Sequence, residues 1–342
     1  MSKKKIALVT GSSGQDGSYL CQFLLKKKYT VIAADRRSSR DSGWRHKELG
    51  IQNNLIYEDF DLSDITSIIA LIKKYKFDEV YNLAAQSFVK SSFVTPLSSS
   101  DVTGIGPLRI LDTLKYFSPK TKFYQASTSE MYGEVETNLL NEKSRFNPRS
   151  PYAVAKLFAH GITKNYRESY GMFCCSGILF NHESPLRGEE FVTRKITKQL
   201  CEISLGQRKF LELGNIYSKR DWGYAKDYVE GMWKMLQQKK PEDFVLATNT
   251  VYSVKYFLNE CFKVLNFNIE WKGKGLKEVA IDKKTKKIIL KINPRYYRPA
   301  EVEYLKGSYK KAYTKLNWKP TVSLSKLINL MIEADLKRLK KN

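Results

Sequence analysis

Residues that ligate metals or cross-link chains are scarce: three histidines and five cysteines in 342 residues. Cys21, Cys174, Cys175, Cys201 and Cys261 are odd in number and lack metal-ligand spacing, which argues against a disulfide framework or a zinc module and predicts reduced thiols in a core. Apolar runs are short, and none approaches the length needed to cross a bilayer. The first, Ile6-Ala7-Leu8-Val9, is too brief for a signal-peptide core, so the expected location is cytoplasmic, with no membrane partner. Internal repeats and low-complexity linkers are absent. Acidic residues are under-represented, 35 against 59 lysines and arginines, for a net charge of +24. The lysine clusters (within residues 3–5, 26–28, 283–287 and 337–341) are scattered along the chain and form no recognisable nucleic-acid module. A solvated basic surface that attracts anionic metabolites is therefore the preferred reading, and no nucleic-acid partner is expected.

What is present suits a globular protein with a sizeable core: 42% hydrophobic and 13% aromatic residues. Ile6-Ala7-Leu8-Val9-Thr10 reads as a strand, followed by the loop GSSGQDG from Gly11 and then a helical pattern through Tyr19, Leu20, Phe23 and Leu24. Strand, glycine loop and helix together form a dinucleotide-binding pattern, because small residues let backbone amides approach a pyrophosphate. A second strand ends on Asp35, at the distance along the chain where a Rossmann acid meets the adenosine ribose. That carboxylate favours NAD(H), whereas the adjacent Arg36 and Arg37 suit the extra phosphate of NADP(H). Strands expected near residues 55–58 and 78–86, with a helix over 65–75 between them, continue the alternation. Asp61, just past the third strand, is placed to meet the adenine edge. The prediction is a doubly wound parallel α/β sheet with ligands at the carboxyl ends of its strands.

A fifth apolar run, residues 122–126, ends in Ser127-Thr128-Ser129-Glu130. Beyond it, Tyr152 and Lys156 stand four apart at the start of a helical pattern over 152–170, on one helix face. An ammonium held near a phenol lowers its pKa, and a phenol so tuned exchanges a proton with a sugar hydroxyl during hydride transfer.

Several blocks are longer and more distinctive than these patterns: TGSSGQDGSYL (10–20), EVYNLAAQS (79–87), FYQASTSEMYG (123–133), PRSPYAVAKL (148–157), GILFNHESP (177–185), FVTRKIT (191–197), KRDWGYAKDYVEGMW (219–233) and YYRPAEVE (296–303). Over essentially its whole length the chain resembles the extended short-chain dehydrogenase/reductases, and among them the GDP-mannose 4,6-dehydratases. The resemblance implies a Rossmann domain over 1–178 and 216–250, and a smaller interleaved α/β lobe over 179–215 and 251–342 that holds a nucleotide-sugar. It implies dinucleotide contacts from Gly11, Ser12, Ser13, Gly14, Gln15, Asp16, Asp61, Leu62, Leu83, Ala84, Ala85, Gln86, Ser87, Lys156, His182 and Arg187, with Arg36 joining for NADP(H). Thr128, Glu130, Tyr152 and Lys156 would carry catalysis. Asn181, Lys195, Arg220 and Arg298 would hold a GDP-sugar, the cations fitting its diphosphate on chemical grounds. A homodimer or homotetramer is also implied.

Phe88, Ser98, Leu186 and Asp35 depart from the family pattern. GDP-N-acetylglucosamine or a GDP-heptose thus stays open as substrate, as do C4 epimerase or simple dehydrogenase chemistry on the same fold and a non-catalytic dinucleotide sensor. Glu130 is the residue that discriminates: dehydration needs a carboxylate near C5, which epimerisation and plain oxidation do not. After Asn181, helices are expected over 191–205, 227–238 and 324–339 and a strand over 244–248. A lysine-rich exposed hairpin without chemistry is expected over 283–292.

Overall fold

The computed structural model describes residues 4–39, 43–134, 139–297 and 302–340. At its centre is a seven-stranded parallel sheet formed by β1 (Ile6–Thr10), β2 (Thr30–Asp35), β3 (Ile56–Asp59), β4 (Glu79–Asn82), β5 (Lys122–Thr128), β6 (Cys174–Leu179) and β11 (Phe244–Leu246). The order is β11-β6-β5-β4-β1-β2-β3, so the strand order reverses beside β1, and ligands of such sheets bind in the crevice at that reversal.

Alternation along the strands sends side chains to opposite faces. Ala7 and Val9 of β1 pack into a cluster that includes Leu20 and Met232, and Leu8 packs on the other side with Ile68 and Leu111. Helices α1 (Gln15–Lys26) and α9 (Ala225–Leu236) cover the first face; α3 (Ile65–Lys74), α6 (Gly106–Phe117) and α7 (Pro151–Tyr170) cover the second. All five cysteines are buried and unpaired.

The stretch between Ser87 and Lys122, to which the sequence assigns no element, is mostly helical from Val89 to Phe117, with a bend at Thr95. It comprises α4 (Val89–Val94), α5 (Pro96–Ser100), a π-helical turn (Asp101–Ile105) and α6. Its serine-rich first half dilutes the apolar period that would announce a helix.

A second core lies apart from the central sheet. Here α8 (Val192–Ser204), α10 (Val254–Val264) and α12 (Leu324–Leu339) surround a four-stranded sheet of β13 (Ile269–Lys272), β14 (Val279–Asp282), β15 (Ile288–Ile292) and β8 (Leu211–Leu213). The expected exposed hairpin is β14–β15. Its lysine-rich turn is exposed, but Ile289 and Leu290 are buried in this core, which corrects the reading of that segment as surface. Short pairs connect the two cores: β7 (Asn181–Glu183) with β10 (Trp222–Tyr224), and β9 (Lys219–Arg220) between β12 (Tyr252–Ser253) and β16 (Tyr304–Leu305). The short helix α11 (Lys310–Leu316) packs on β11. Among the described residues no helix is long and apolar enough to cross a membrane.

Candidate active site

The site begins where β1 ends. Gly11 has φ +67°, and a Cβ on it would lie 2.9 Å from the backbone of Ala84; one on Gly17 would lie 2.2 Å from the Gly11 carbonyl oxygen. Side chains are therefore excluded at these two positions, and the start of α1 stays close against β1, the cradle a pyrophosphate requires. The ends of β1 and β4 are joined: the Thr10 hydroxyl donates to Asn82 at 2.7 Å and accepts from the Ala84 amide at 3.2 Å.

Asp35 departs from its expected posture. Its carboxylate accepts from the Ser12 hydroxyl, from the Ser13 amide at 3.0 Å and from the Ser13 hydroxyl at 3.1 Å. Burial pushes its pKa up, against these bonds. Both oxygens thus brace the glycine loop, where the sequence reading had them chelating ribose hydroxyls. Beside it is a cavity of about 510 Å³, lined among others by Asp35, Arg36, Arg37, His46 and Tyr57.

Two further supports of this loop were not legible in the sequence. His46 approaches the Ser12 carbonyl at 2.8 Å and the Tyr57 hydroxyl at 3.1 Å, and Arg45 donates to the carbonyls of Ser13 (2.9 Å) and Leu186 (2.7 Å). Both belong to α2 (Trp44–Glu48), a five-residue helix too short to show a period. Asp61 accepts from the amide and hydroxyl of Ser63, and Leu62 is buried against Gly106.

From the start of α1, Asp16 pairs with His182 at 2.7 Å, while the other nitrogen of that imidazole meets the Phe180 carbonyl at 2.7 Å. Burial opposes charge on both partners. Their mutual attraction nevertheless holds Asp16 below the usual carboxylate range and His182 above the usual imidazole one, so each partner favours the charged form of the other. Gln15 donates to the His182 carbonyl and accepts from the Ser184 hydroxyl, tying α1 to β7.

A chamber of about 150 Å³ opens here, lined by Asp16, Leu83, Ala85, Ser87, His182 and Arg187 together with Thr128, Glu130, Tyr152 and Lys156. Ala84 meets the glycine loop, and Gln86 donates its amide to Thr103 at 3.1 Å. Three elements deliver the reactive groups. Thr128 is the last residue of β5, and Glu130 lies in the 3₁₀ turn (Ser129–Met131) whose first amide bond goes to the Thr128 hydroxyl. Tyr152 and Lys156 come from the first turns of α7, which is capped by Ser150, begins with Pro151 and ends at Gly171 in the left-handed region.

Tyr152 is buried, and its pKa is raised, first by burial and then by the charge of Glu130, with a hydrogen bond from Thr128 acting the other way. This differs from the sequence expectation of a lysine-lowered phenol. Lys156 donates to the Ala126 carbonyl at 2.7 Å, with its ammonium 5.9 Å from the Tyr152 ring centroid. Burial drops its own pKa to about 8.

An ammonium so disfavoured weakens the fold. Without added dinucleotide at pH 7, Lys156→Met is expected to gain about 1–2 kcal/mol in urea unfolding, part of the relief being offset by the unpaired Ala126 carbonyl. Between pH 8 and 10.5 the unfolded parent holds the lysine proton and the folded parent does not, so parental stability rises and the difference narrows. A variant less stable than the parent at pH 7 contradicts this.

A second cavity, of about 460 Å³, adjoins the chamber and contains Asn181, Lys195 and Arg220. Asn181 has a buried, unpartnered Oδ1. Lys195 lies 3.4 Å above the Tyr296 ring centroid; burial, with Arg208 and Lys90 nearby, lowers its pKa to about 8. Arg220 is buried and donates to the Lys219 carbonyl at 2.9 Å. Its neighbour Asp221 faces away, holding Thr248, Asn249 and Gly307. Arg187 stacks on Phe191 at 3.6 Å and pairs with Glu183 at 3.1 Å, although its Nε–H is not aimed along that line. Lys90, Trp222 and Tyr296 also line the cavity, without a sequence signal that separated them from surface or core. Arg298 lies outside the described residues.

Comparison with known proteins agrees with this architecture. The family profile "GDP-mannose 4,6 dehydratase" matches residues 8–331. The chain is 47% identical to the GDP-mannose 4,6 dehydratase of Homo sapiens, over 99% of this chain and 93% of that one. It is likewise 47% identical to the Vibrio cholerae GDP-mannose 4,6-dehydratase, over 98% and 94%. Among solved structures, dTDP-glucose 4,6-dehydratase from Bacillus anthracis in complex with NAD superposes with a TM-score of 0.80 at 19% identity, over 98% of both chains. UDP-glucose 4-epimerase from Thermotoga maritima superposes at 0.81 and 23%, over 98% and 99%; at such identities the likeness concerns the fold. With a profile spanning nearly its full length and relatives at 47% identity from bacteria to animals, the chain belongs to the GDP-mannose 4,6-dehydratase family.

Proposed function

We propose that this protein is a GDP-mannose 4,6-dehydratase, converting the GDP-hexose to a GDP-4-keto-6-deoxyhexose with loss of one water. The observation that carries the reading is the position of Glu130: its carboxylate lines the same chamber as Tyr152 and is close enough to raise that phenol's pKa. A 4-epimerase or plain dehydrogenase needs the tyrosine and lysine but not this carboxylate, and a sensor needs none of the three.

The glycine cradle, the Asp16–His182 pair and Lys156 fit a nicotinamide dinucleotide, which supplies the hydride acceptor and donor when bound. Tyr152 takes the proton of the C4 hydroxyl, with Thr128 orienting the phenol and Lys156 stabilising the phenolate. The resulting 4-ketone acidifies the C5 hydrogen, which Glu130 removes and passes to the hydroxyl leaving C6, so that one water departs. Hydride then returns to C6 while the proton that Tyr152 took is delivered to C5, and the cycle is redox-neutral. Asn181 accepts a bond from the substrate, and Lys195 and Arg220 neutralise its diphosphate. NAD(H) is favoured by the negative charge of Asp35 in the ribose cavity. NADP(H) is the second reading, supported by the commitment of both Asp35 oxygens to the glycine loop and by Arg36 and Arg37 in that cavity. Identification of the dinucleotide that copurifies decides between them.

We assign residues 1–178 and 216–250 to the dinucleotide-binding domain and 179–215 and 251–342 to the sugar-nucleotide lobe, with a cytoplasmic location. Exposed apolar side chains on α5 and α7, Leu97 at 86% and Val154 at 54%, support a homo-oligomer formed through that face, which sedimentation measures.

Incubation with GDP-mannose and other GDP-hexoses, followed by mass spectrometry, tests the function: loss of one water from GDP-mannose is expected, and an unchanged mass refutes it. Substrate binding carries a pH signature. The Lys195 ammonium binds the diphosphate, and its pKa of about 8 means that it is lost as pH rises through 8. KM for the sugar nucleotide is expected to climb above pH 8 in the parent and to stay flatter in Lys195→Arg, whose guanidinium keeps its charge.

A further inference from the structure

The two cavities meet in a throat. Five residues line both of them: Phe88, Glu130, Asn181, Arg187 and Phe191. A sugar nucleotide with its diphosphate near Lys195 and its C4 hydroxyl near Tyr152 must lay its hexose ring across this throat. Three of the five are polar. Glu130 shares the chamber with Tyr152, Asn181 offers an unpartnered Oδ1, and Arg187 is paired with Glu183.

The remaining two are aromatic and touch each other. Phe88, half-buried at the head of α4, meets Phe191 with centroids 5.8 Å apart and planes at 77°, an edge contact. Phe191 is itself held on one face by the Arg187 guanidinium at 3.6 Å, so the pair is clamped against Arg187.

We infer that Phe88 is a specificity-determining residue, its ring forming the apolar wall against which the hexose packs. This rests on the GDP-sugar reading above. A pyranose has C–H surfaces as well as hydroxyls, and an aromatic ring accommodates the former without offering a hydrogen bond to the latter. A hexose epimer that turns a hydroxyl toward Phe88 strips it of water without replacing the bond, and is rejected for that reason. The wall therefore discriminates among hexoses by the hydroxyl that is turned toward it, while the nucleotide is held elsewhere, around Lys195 and Arg220.

The test measures dissociation constants of GDP, GDP-mannose and GDP-glucose by calorimetry in the parent, Phe88→Ala and Phe88→Leu, with water loss followed separately. In Phe88→Ala the affinity gained from the sugar, read as the ratio of the GDP and GDP-mannose constants, is expected to fall ~tenfold, and the preference between the two epimers to collapse. GDP itself should bind within about twofold of the parent, and Phe88→Leu should keep most of the sugar increment. An unchanged increment in both variants overturns the assignment, as does a loss of GDP affinity equal to the loss for GDP-mannose. If the increment falls while the parent releases no water from GDP-mannose, the dehydratase reading fails and the role of Phe88 stands.

Discussion

Glu130→Gln is expected to lower the rate of water loss by about 10² to 10⁴, the range a positioned general base contributes. Glutamine preserves the shape of the side chain and removes its capacity to accept a proton, so affinity for the sugar nucleotide should be little changed. Two accompanying effects separate this from damage to the fold. Exchange of solvent deuterium into C5 of recovered substrate should stop together with dehydration, because both need the same proton removed. The ionisation of Tyr152 should also move down, since Glu130 is the main charge raising it once burial is counted. Steps limited by the phenolate then shift to lower pH. Undiminished turnover, or C5 exchange persisting at the parent rate, removes Glu130 from its assigned role.

Tyr152→Phe acts one step earlier and is expected to lower turnover by a similar factor, about 10² to 10⁴. The phenol is the group placed to take the C4 proton, and Thr128, whose hydroxyl bonds to it, is an alcohol and a far weaker base. C5 exchange should disappear as well, because without the 4-ketone the C5 hydrogen is not acidic. This outcome orders the two residues: Glu130→Gln blocks exchange after C4 oxidation, and Tyr152→Phe blocks it by preventing that oxidation. GDP should bind both variants within about twofold of the parent, as calorimetry measures, and the loss should fall on kcat rather than KM. Retained C5 exchange in Tyr152→Phe contradicts the sequence of events.

The parts of the fold that could be read beforehand are those where a local rule and the tertiary structure agree. The run Ile6-Ala7-Leu8-Val9-Thr10 followed by glycines is β1 and its cradle, and the helical pattern over 152–170 is α7, which Ser150 caps and Gly171 ends in the structure. The helices between Val89 and Phe117 escaped because polar residues interrupt their period and a π-helical turn shifts its phase. α2 escaped because five residues hold too little pattern, and with it went His46 and Arg45, which support the phosphate loop.

Spacing singled out Tyr152 and Lys156, and the family resemblance added Glu130, but their electrostatics depend on burial. Lysine was expected to depress the phenol, yet burial and a carboxylate prevail over an ammonium that is itself desolvated. Asp35 likewise stands where the spacing put it, and only the structure places two serines in front of it. The throat formed by Phe88 and Phe191 joins side chains 103 positions apart in sequence, at numbers 88 and 191, and no local pattern connects them.

The account rests on hydride leaving C4 and returning to C6 of one sugar while a single water departs. GDP-mannose carrying deuterium at C4 reports this directly. After turnover in ordinary water, the product should be lighter by one water and carry the label at C6, as read by NMR. Label retained at C4, or lost to solvent, would contradict the internal transfer and with it the roles given to Tyr152 and Glu130.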